Sequence, residues 1–155
     1  MNKVLILGYG NPLRGDDGIG WIAAFQLQDC NQDKNVIIET SHQLTPELAE
    51  QFSEFELVVL IDADAQGAPG EIKIRTVEPA DLQLEPINHF STPESILAMA
   101  KDIYGKAPKT YIASISGETF DFQETLSPKI EAQLPGLIDS IQKIIKNETA
   151  DAANI

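Results

Sequence analysis

The sequence predicts an α/β fold: a three-layer sandwich with a twisted, mostly parallel five-stranded sheet, one antiparallel edge strand and helices on both faces. Three observations carry this. Short apolar runs (Lys3–Leu7, KVLIL; Asn35–Thr40, NVIIET; Leu57–Ile61, LVVLI) read as strands, the first and third buried on both faces as in the middle of a parallel sheet. Segments with helical spacing alternate with those runs. A single run, Glu71–Val77 (EIKIRTV), alternates apolar and charged residues, which suits an edge strand with one wet face.

The elements follow in order. Strand one ends at Gly8, and Gly8 to Gly18 (GYGNPLRGDDG) is a loop by its glycines and proline. Ile19, Ile22, Ala23, Gln26 and Leu27 then recur at helical spacing, and polar Gln28 to Asp33 close that helix. After the second strand, Thr45-Pro46-Glu47 supplies a hydroxyl cap, a proline at the first helical position and an acid in the first turn, predicting a helix to about Ser53. The third strand ends at Asp62, and Gly67 to Gly70 is a turn. Ser91-Thr92-Pro93-Glu94 repeats the cap-proline-acid pattern and opens a helix with Ile96, Leu97, Ala100 and Ile103 on one side, stopped by Gly105. Thr110–Ile115 is the fifth strand. Ser127-Pro128 opens a last helix with Ile130, Leu134, Ile138, Ile141 and Ile145 inward, and Pro135-Gly136 predicts a kink or split. Residues 1–147 make one domain, and 148–155 are expected to be a flexible tail.

Composition narrows the function. The 155 residues hold 24 acidic and 11 basic side chains, a net charge of −13, which argues against nucleic-acid binding because phosphate contacts need Lys or Arg. Hydrophobic residues make up 43%, enough for a core. One cysteine rules out an internal disulfide framework, and no apolar run reaches the length of a membrane span. A cytoplasmic setting and a monomeric chain are the expectation.

Ligands in such folds bind beyond the carboxyl ends of the strands, which singles out the first loop, the segment after strand two and Asp62. The loop fails the dinucleotide fingerprint, because the sixth residue from Gly8 is Leu13. Asp16 and Asp17 stand where a phosphate would sit, so the loop suits a cation rather than an anion. One acid accounts for helix capping. Its neighbour, about 100° around the helix, faces the cleft. Asp62 at a strand end is a cleft carboxylate on a rigid element, and Asp64 is a second candidate ligand. His42 lies just past strand two, and His89 lies in a loop ahead of a helix. Two carboxylates and an imidazole form a mixed O/N set suited to a divalent metal such as nickel or zinc. The HExxH, GxSxG and nucleophilic-cysteine contexts are absent, and Cys30 reads as structural or incidental. The acids also admit an alternative, a receiver-like, magnesium-dependent phosphotransfer domain, although no lysine follows the fifth strand to pair with phosphate.

Gly8-x-Gly10-Asn11-Pro12-Leu13-x-x-Asp16-Asp17-Gly18-x-Gly20, followed by Ile61-Asp62-Ala63, Ala68-Pro69-Gly70 and His89 eight residues ahead of Leu97, resembles the [NiFe]-hydrogenase maturation endopeptidases. The resemblance runs to about Lys146. It implies removal of a C-terminal extension from the hydrogenase large-subunit precursor after nickel insertion. It also implies that Asp17, Asp62 and His89 contact the metal and carry the catalysis, by an aspartic-type or metal-dependent route. Nickel is then recognised in the substrate, and the isolated protein is expected to need no metal of its own. Some members carry Glu where this chain has Asp17. His42-Gln43-Leu44, continuing as Thr45-Pro46-Glu47-Leu48, is similar to the subgroup serving the bidirectional, NAD(P)-linked hydrogenase. His42, Gln43, Leu44 and Asn11 are accordingly the expected substrate contacts.

Overall fold

The computed structural model describes residues 3–83 and 91–153. The elements are β1 (Val4–Tyr9), α1 (Ile19–Cys30), β2 (Val36–Ser41), α2 (Leu48–Phe52), β3 (Leu57–Asp64), β4 (Ile72–Val77), α3 (Pro93–Tyr104), β5 (Lys109–Ser116) and α4 (Pro128–Ala153). A 3-10 turn, Gly15–Gly18, leads into α1.

The five strands form one sheet in the order β2-β1-β3-β5-β4. The β1–β2, β1–β3 and β3–β5 pairs are parallel, and β4 runs antiparallel to β5 at the edge. This is the predicted architecture. The alternation of side chains in β1 divides the core in two. Val4 and Ile6 join Ile19, Ala23 and Leu27 of α1 and Ile130, Leu134, Leu137 and Ile141 of α4 on one face. Leu5 and Leu7 join Ala49 and Phe52 of α2 and Ile96, Leu97 and Ala100 of α3 on the other. Both faces of the central strands are covered, which is why their sequences are continuous apolar runs. No helix among the described residues is long and apolar enough to cross a membrane.

The chain leaves β1 through α1 toward β2 and then crosses back to β3 on the other side of β1. The switch in direction falls between the carboxyl ends of β1 and β3, where α/β sheets leave a crevice.

Several boundaries differ from the sequence expectation. β1 continues through Gly8 to Tyr9 because it is paired on both sides there, Gly8 with Thr40 and Ile61, and Tyr9 with Ser41. β3 continues to Asp64 because β5 pairs with it through Asp64–Ser116, so Asp62 belongs to the strand itself. The Thr45–Glu47 start forms a turn, with Leu48 N–H donating to Thr45 O and Ala49 N–H to Pro46 O, and only Leu48–Phe52 is α-helical. Ile103, expected inward, is 65% exposed, whereas Thr92 and Gly105 cap α3 as predicted.

The last helix is one continuous element through Pro135. Proline removes one helical hydrogen bond there, but burial of Ile130, Leu134, Leu137 and Ile141 on the same face holds the rod together. It also extends past residue 147. Glu148 accepts hydrogen bonds from the Tyr111 hydroxyl and from Lys109 Nζ, the latter at 2.8 Å, which docks that turn on β5.

Candidate functional site

The site is built around a close approach of α1 to β1. A Cβ on Gly8 would lie 2.0 Å from Gly20 O, and one on Gly20 would lie 2.8 Å from Ile61 O and from Tyr9 N. Only hydrogen fits at these two positions, so the start of α1 rests directly on the ends of β1 and β3. Gly10 takes φ +139°, a backbone conformation that glycine adopts without strain, and turns the chain into the loop.

The two adjacent acids then part. Asp16 is fully buried. Its Oδ1 accepts from Ser127 N–H at 2.7 Å. Its Oδ2 accepts from Glu118 N–H at 2.7 Å, Thr119 N–H at 3.0 Å and Ser127 Oγ at 2.8 Å. Burial alone would raise the Asp16 carboxyl, but the donors from Ser127, Thr119 and Glu118 outweigh it and hold the group below the ordinary carboxylate range. Asp16 is therefore not a helix cap. It pins the glycine loop to the segment after β5 and to the start of α4.

Asp17 turns the other way. Its Oδ2 accepts Asn11 N–H at 2.7 Å, which holds it at the base of a cleft. Asp17, Asp62, Tyr9, Gly10, His42, Gln43, Leu44, Ser91, Thr92 and Pro93 line this cleft, of about 460 Å³, at the crevice between β1 and β3. Five residues selected from sequence (Asp17, His42, Gln43, Leu44 and Asp62) thus share one space. Asn11 does not line it: its Oδ1 closes its own loop on Leu13 N–H at 2.9 Å. His89 lies outside the described residues. Asp64 also stands outside the cleft lining, with Oδ1 accepting Gln66 N–H at 2.9 Å. Among the described residues, no group of three His, Cys, Asp or Glu side chains forms a metal-holding cluster.

Asp62 is the chemically distinctive member. Burial pushes its carboxyl up to about 6. The Tyr9 phenol and Ala63 N–H oppose that rise, and the charges of Asp17 and Asp64 add to it. Tyr9 Oη donates to Asp62 Oδ2 at 3.1 Å. Burial, and then the charge on Asp62, raise the phenol above its ordinary value, so it remains a donor.

The segment after β2 is held by Trp21. The indole Nε1 donates to Ser41 O at 3.1 Å, and the His42 ring lies 5.1 Å from the indole centroid, tilted by 58°. Cys30 is exposed at the far end of α1, with Sγ donating to Leu27 O. The phosphotransfer alternative is not favoured. Asp16 is occupied by four donors and Asp64 stands outside the cleft, so of the four acids that suggested it only Asp17 and Asp62 share the site.

Sequence reasoning missed Tyr9 and the cap residues Ser91 to Pro93 as cleft walls. Alternation along β1 was the available signal, because it puts Tyr9 on the same face as Leu5 and Leu7, at the strand end beside the cleft.

The architecture is that of the hydrogenase maturation endopeptidases. Two solved structures share it over nearly the full chain. HybD, the hydrogenase maturating endopeptidase of E. coli, matches with a TM-score of 0.78 at 20% identity, covering 94% of this chain and 93% of that one. HycI, a [NiFe] hydrogenase maturation protease of Thermococcus kodakarensis, matches with a TM-score of 0.71 at 22% identity and the same coverage. In sequence, the chain is 27% identical over 153 residues to a protein of Methanocaldococcus jannaschii named as a candidate hydrogenase maturation protease, covering 94% of this chain and 95% of that one. No protein-family model matches the chain. The resemblance read from the sequence motifs therefore extends to the three-dimensional fold.

Proposed function

We propose that this protein is a hydrogenase maturation endopeptidase that cleaves the C-terminal extension of the nickel-loaded [NiFe]-hydrogenase large-subunit precursor, of the bidirectional type. The observation that carries the reading is the convergence of Asp17 and Asp62, remote in sequence, on one cleft at the switch point of this fold. His89 is the third member of the proposed set. In sequence it precedes Ser91, a cleft wall, by two residues.

In this reading nickel is part of the substrate. Asp17, Asp62 and His89 engage the metal already held by the precursor, and that contact fixes the scissile bond at the cleft. A carboxylate near 6 is ionised at neutral pH and still basic enough to take a proton from an attacking water, so Asp62 is suited to general-base work. The substrate's nickel supplies Lewis acidity at the same place. His42, Gln43 and Leu44 line the same cleft, which supports a substrate-selecting role for that segment.

The test is incubation with large-subunit precursor, with and without nickel, followed by mass measurement. A single loss matching the C-terminal extension, seen only with nickel, is expected. An uncut nickel-loaded precursor overturns the reading. A bidirectional precursor cut faster than an uptake-type precursor supports the finer assignment, and equal rates overturn it.

A further inference from the structure

Asp62 reaches the cleft from the middle of a rigid sheet, yet its carboxylate is not fixed by the backbone alone. A side-chain carboxyl on a strand has two free torsions. Among the described residues, Tyr9 is the one side chain that hydrogen-bonds it, Oη to Oδ2 at 3.1 Å. The contact crosses from β1 to β3, adjacent parallel strands whose pairing runs up to Gly8–Ile61, the residues next to these two. The Tyr9 ring packs against the core shared by Leu5, Leu7 and Leu60, so the phenol itself is held in place.

We propose that Tyr9 is a positioning residue of the cleft: its hydroxyl occupies Oδ2 of Asp62 and locks the carboxylate in one rotamer, leaving Oδ1 to meet the nickel centre or the attacking water of the incoming substrate. This rests on the endopeptidase reading for its functional half only. Partners that orient a ligand or base through a hydrogen bond are worth about 10- to 100-fold in affinity or rate when removed. Unlike a bulky neighbour, a phenol can be deprived of its hydrogen bond without losing its packing, because Phe retains the ring.

Tyr9→Phe separates the two halves. Side-chain NMR couplings of Asp62 are expected to show one χ1 rotamer in the wild-type protein and averaging in Y9F, with the remaining amide spectrum preserved. Steady-state cleavage of nickel-loaded precursor is expected to lose about 10- to 100-fold in kcat with KM unchanged. A merely structural Tyr9 would instead leave kcat intact or lower stability and activity together. An Asp62 that averages over rotamers in the wild-type protein, or a Y9F variant with wild-type kcat, overturns the proposal. The rotamer measurement needs no precursor, so a wild-type protein that shows the locked rotamer but cuts nothing refutes the endopeptidase reading and leaves the locking itself established.

Discussion

Replacing Asp16 by Ala tests whether this acid builds the site. The carboxylate is fully buried and receives three backbone N–H groups and one hydroxyl. Hydrogen bonds to a charged group contribute about 1.5–3 kcal/mol each, and each buried donor left without a partner costs about 1–3 kcal/mol. The Ser127 hydroxyl can rotate to another acceptor, whereas the three N–H groups are fixed by the backbone. Contributions within one network are not additive, and water admitted to the space of the lost carboxylate recovers part of the loss. The net expectation is about 3–5 kcal/mol, the range for breaking a buried charged contact. Urea unfolding followed by fluorescence of the single tryptophan, Trp21, reads this as a lower midpoint. With slopes of about 1–3 kcal/mol/M, the shift is roughly 2 M. The sign with pH follows from a folded-state pKa lowered relative to the unfolded chain. The contribution is complete above the unfolded value of about 3.9 and is lost as pH falls through the folded value. The gap between wild type and variant should therefore close in acid. A loss below about 1 kcal/mol at neutral pH, or a gap that persists undiminished at the lowest pH, refutes the reasoning.

Asp62→Asn should abolish precursor cleavage while the fold gains thermal stability at pH 8. The Asp62 carboxyl is raised to about 6 in the folded protein, so its favourable contribution is present in acid and lost as pH rises through that value. The amide carries no charge and still accepts the Tyr9 hydroxyl. A melting temperature below wild type at pH 8, or retained cleavage, contradicts this, and the wild-type rate should rise with pH through about 6. Gly8→Ala places a methyl 2.0 Å from Gly20 O and should cost at least about 3 kcal/mol, because both partners are backbone. Gly105→Ala meets nothing within 4 Å and should cost only about 1 kcal/mol for its φ of +81°. Comparable urea midpoints for the two variants would overturn this account.

What the sequence disclosed was local or periodic. The apolar runs of β1 and β3, the cap at Thr92 and the stop at Gly105 are short-range signals, and the structure has them in place. The rule that ligands sit beyond strand ends was enough to group the first loop, the segment holding His42, and Asp62; the family resemblance then singled out Asp17 within that loop. The roles of Asp16 and Tyr9 were hidden because their partners are distant in the chain. Asp16 reads as an ordinary first-turn acid, and only the fold brings residues 118, 119 and 127 to it. Tyr9 reads as a loop residue until pairing with Ser41 of β2 extends β1 over it. Pro135 misled for the opposite reason. Its local penalty is real, but the apolar face of α4 outweighs it. Ile103 fits the helical spacing and is nevertheless exposed, because spacing does not say where the neighbouring sheet ends.

The Asp16 contacts also set a timetable for synthesis. The glycine loop is among the first parts to leave the ribosome, but the backbone groups that grip it come only with Glu118 and Thr119 and are complete only with Ser127. Until then the loop that carries Asp17 lacks part of its anchor, although both Asp17 and Asp62 are already in the nascent chain. Competence comes late, when the start of α4 has emerged and been clasped. The crevice is thereby finished only after most of the chain has been made.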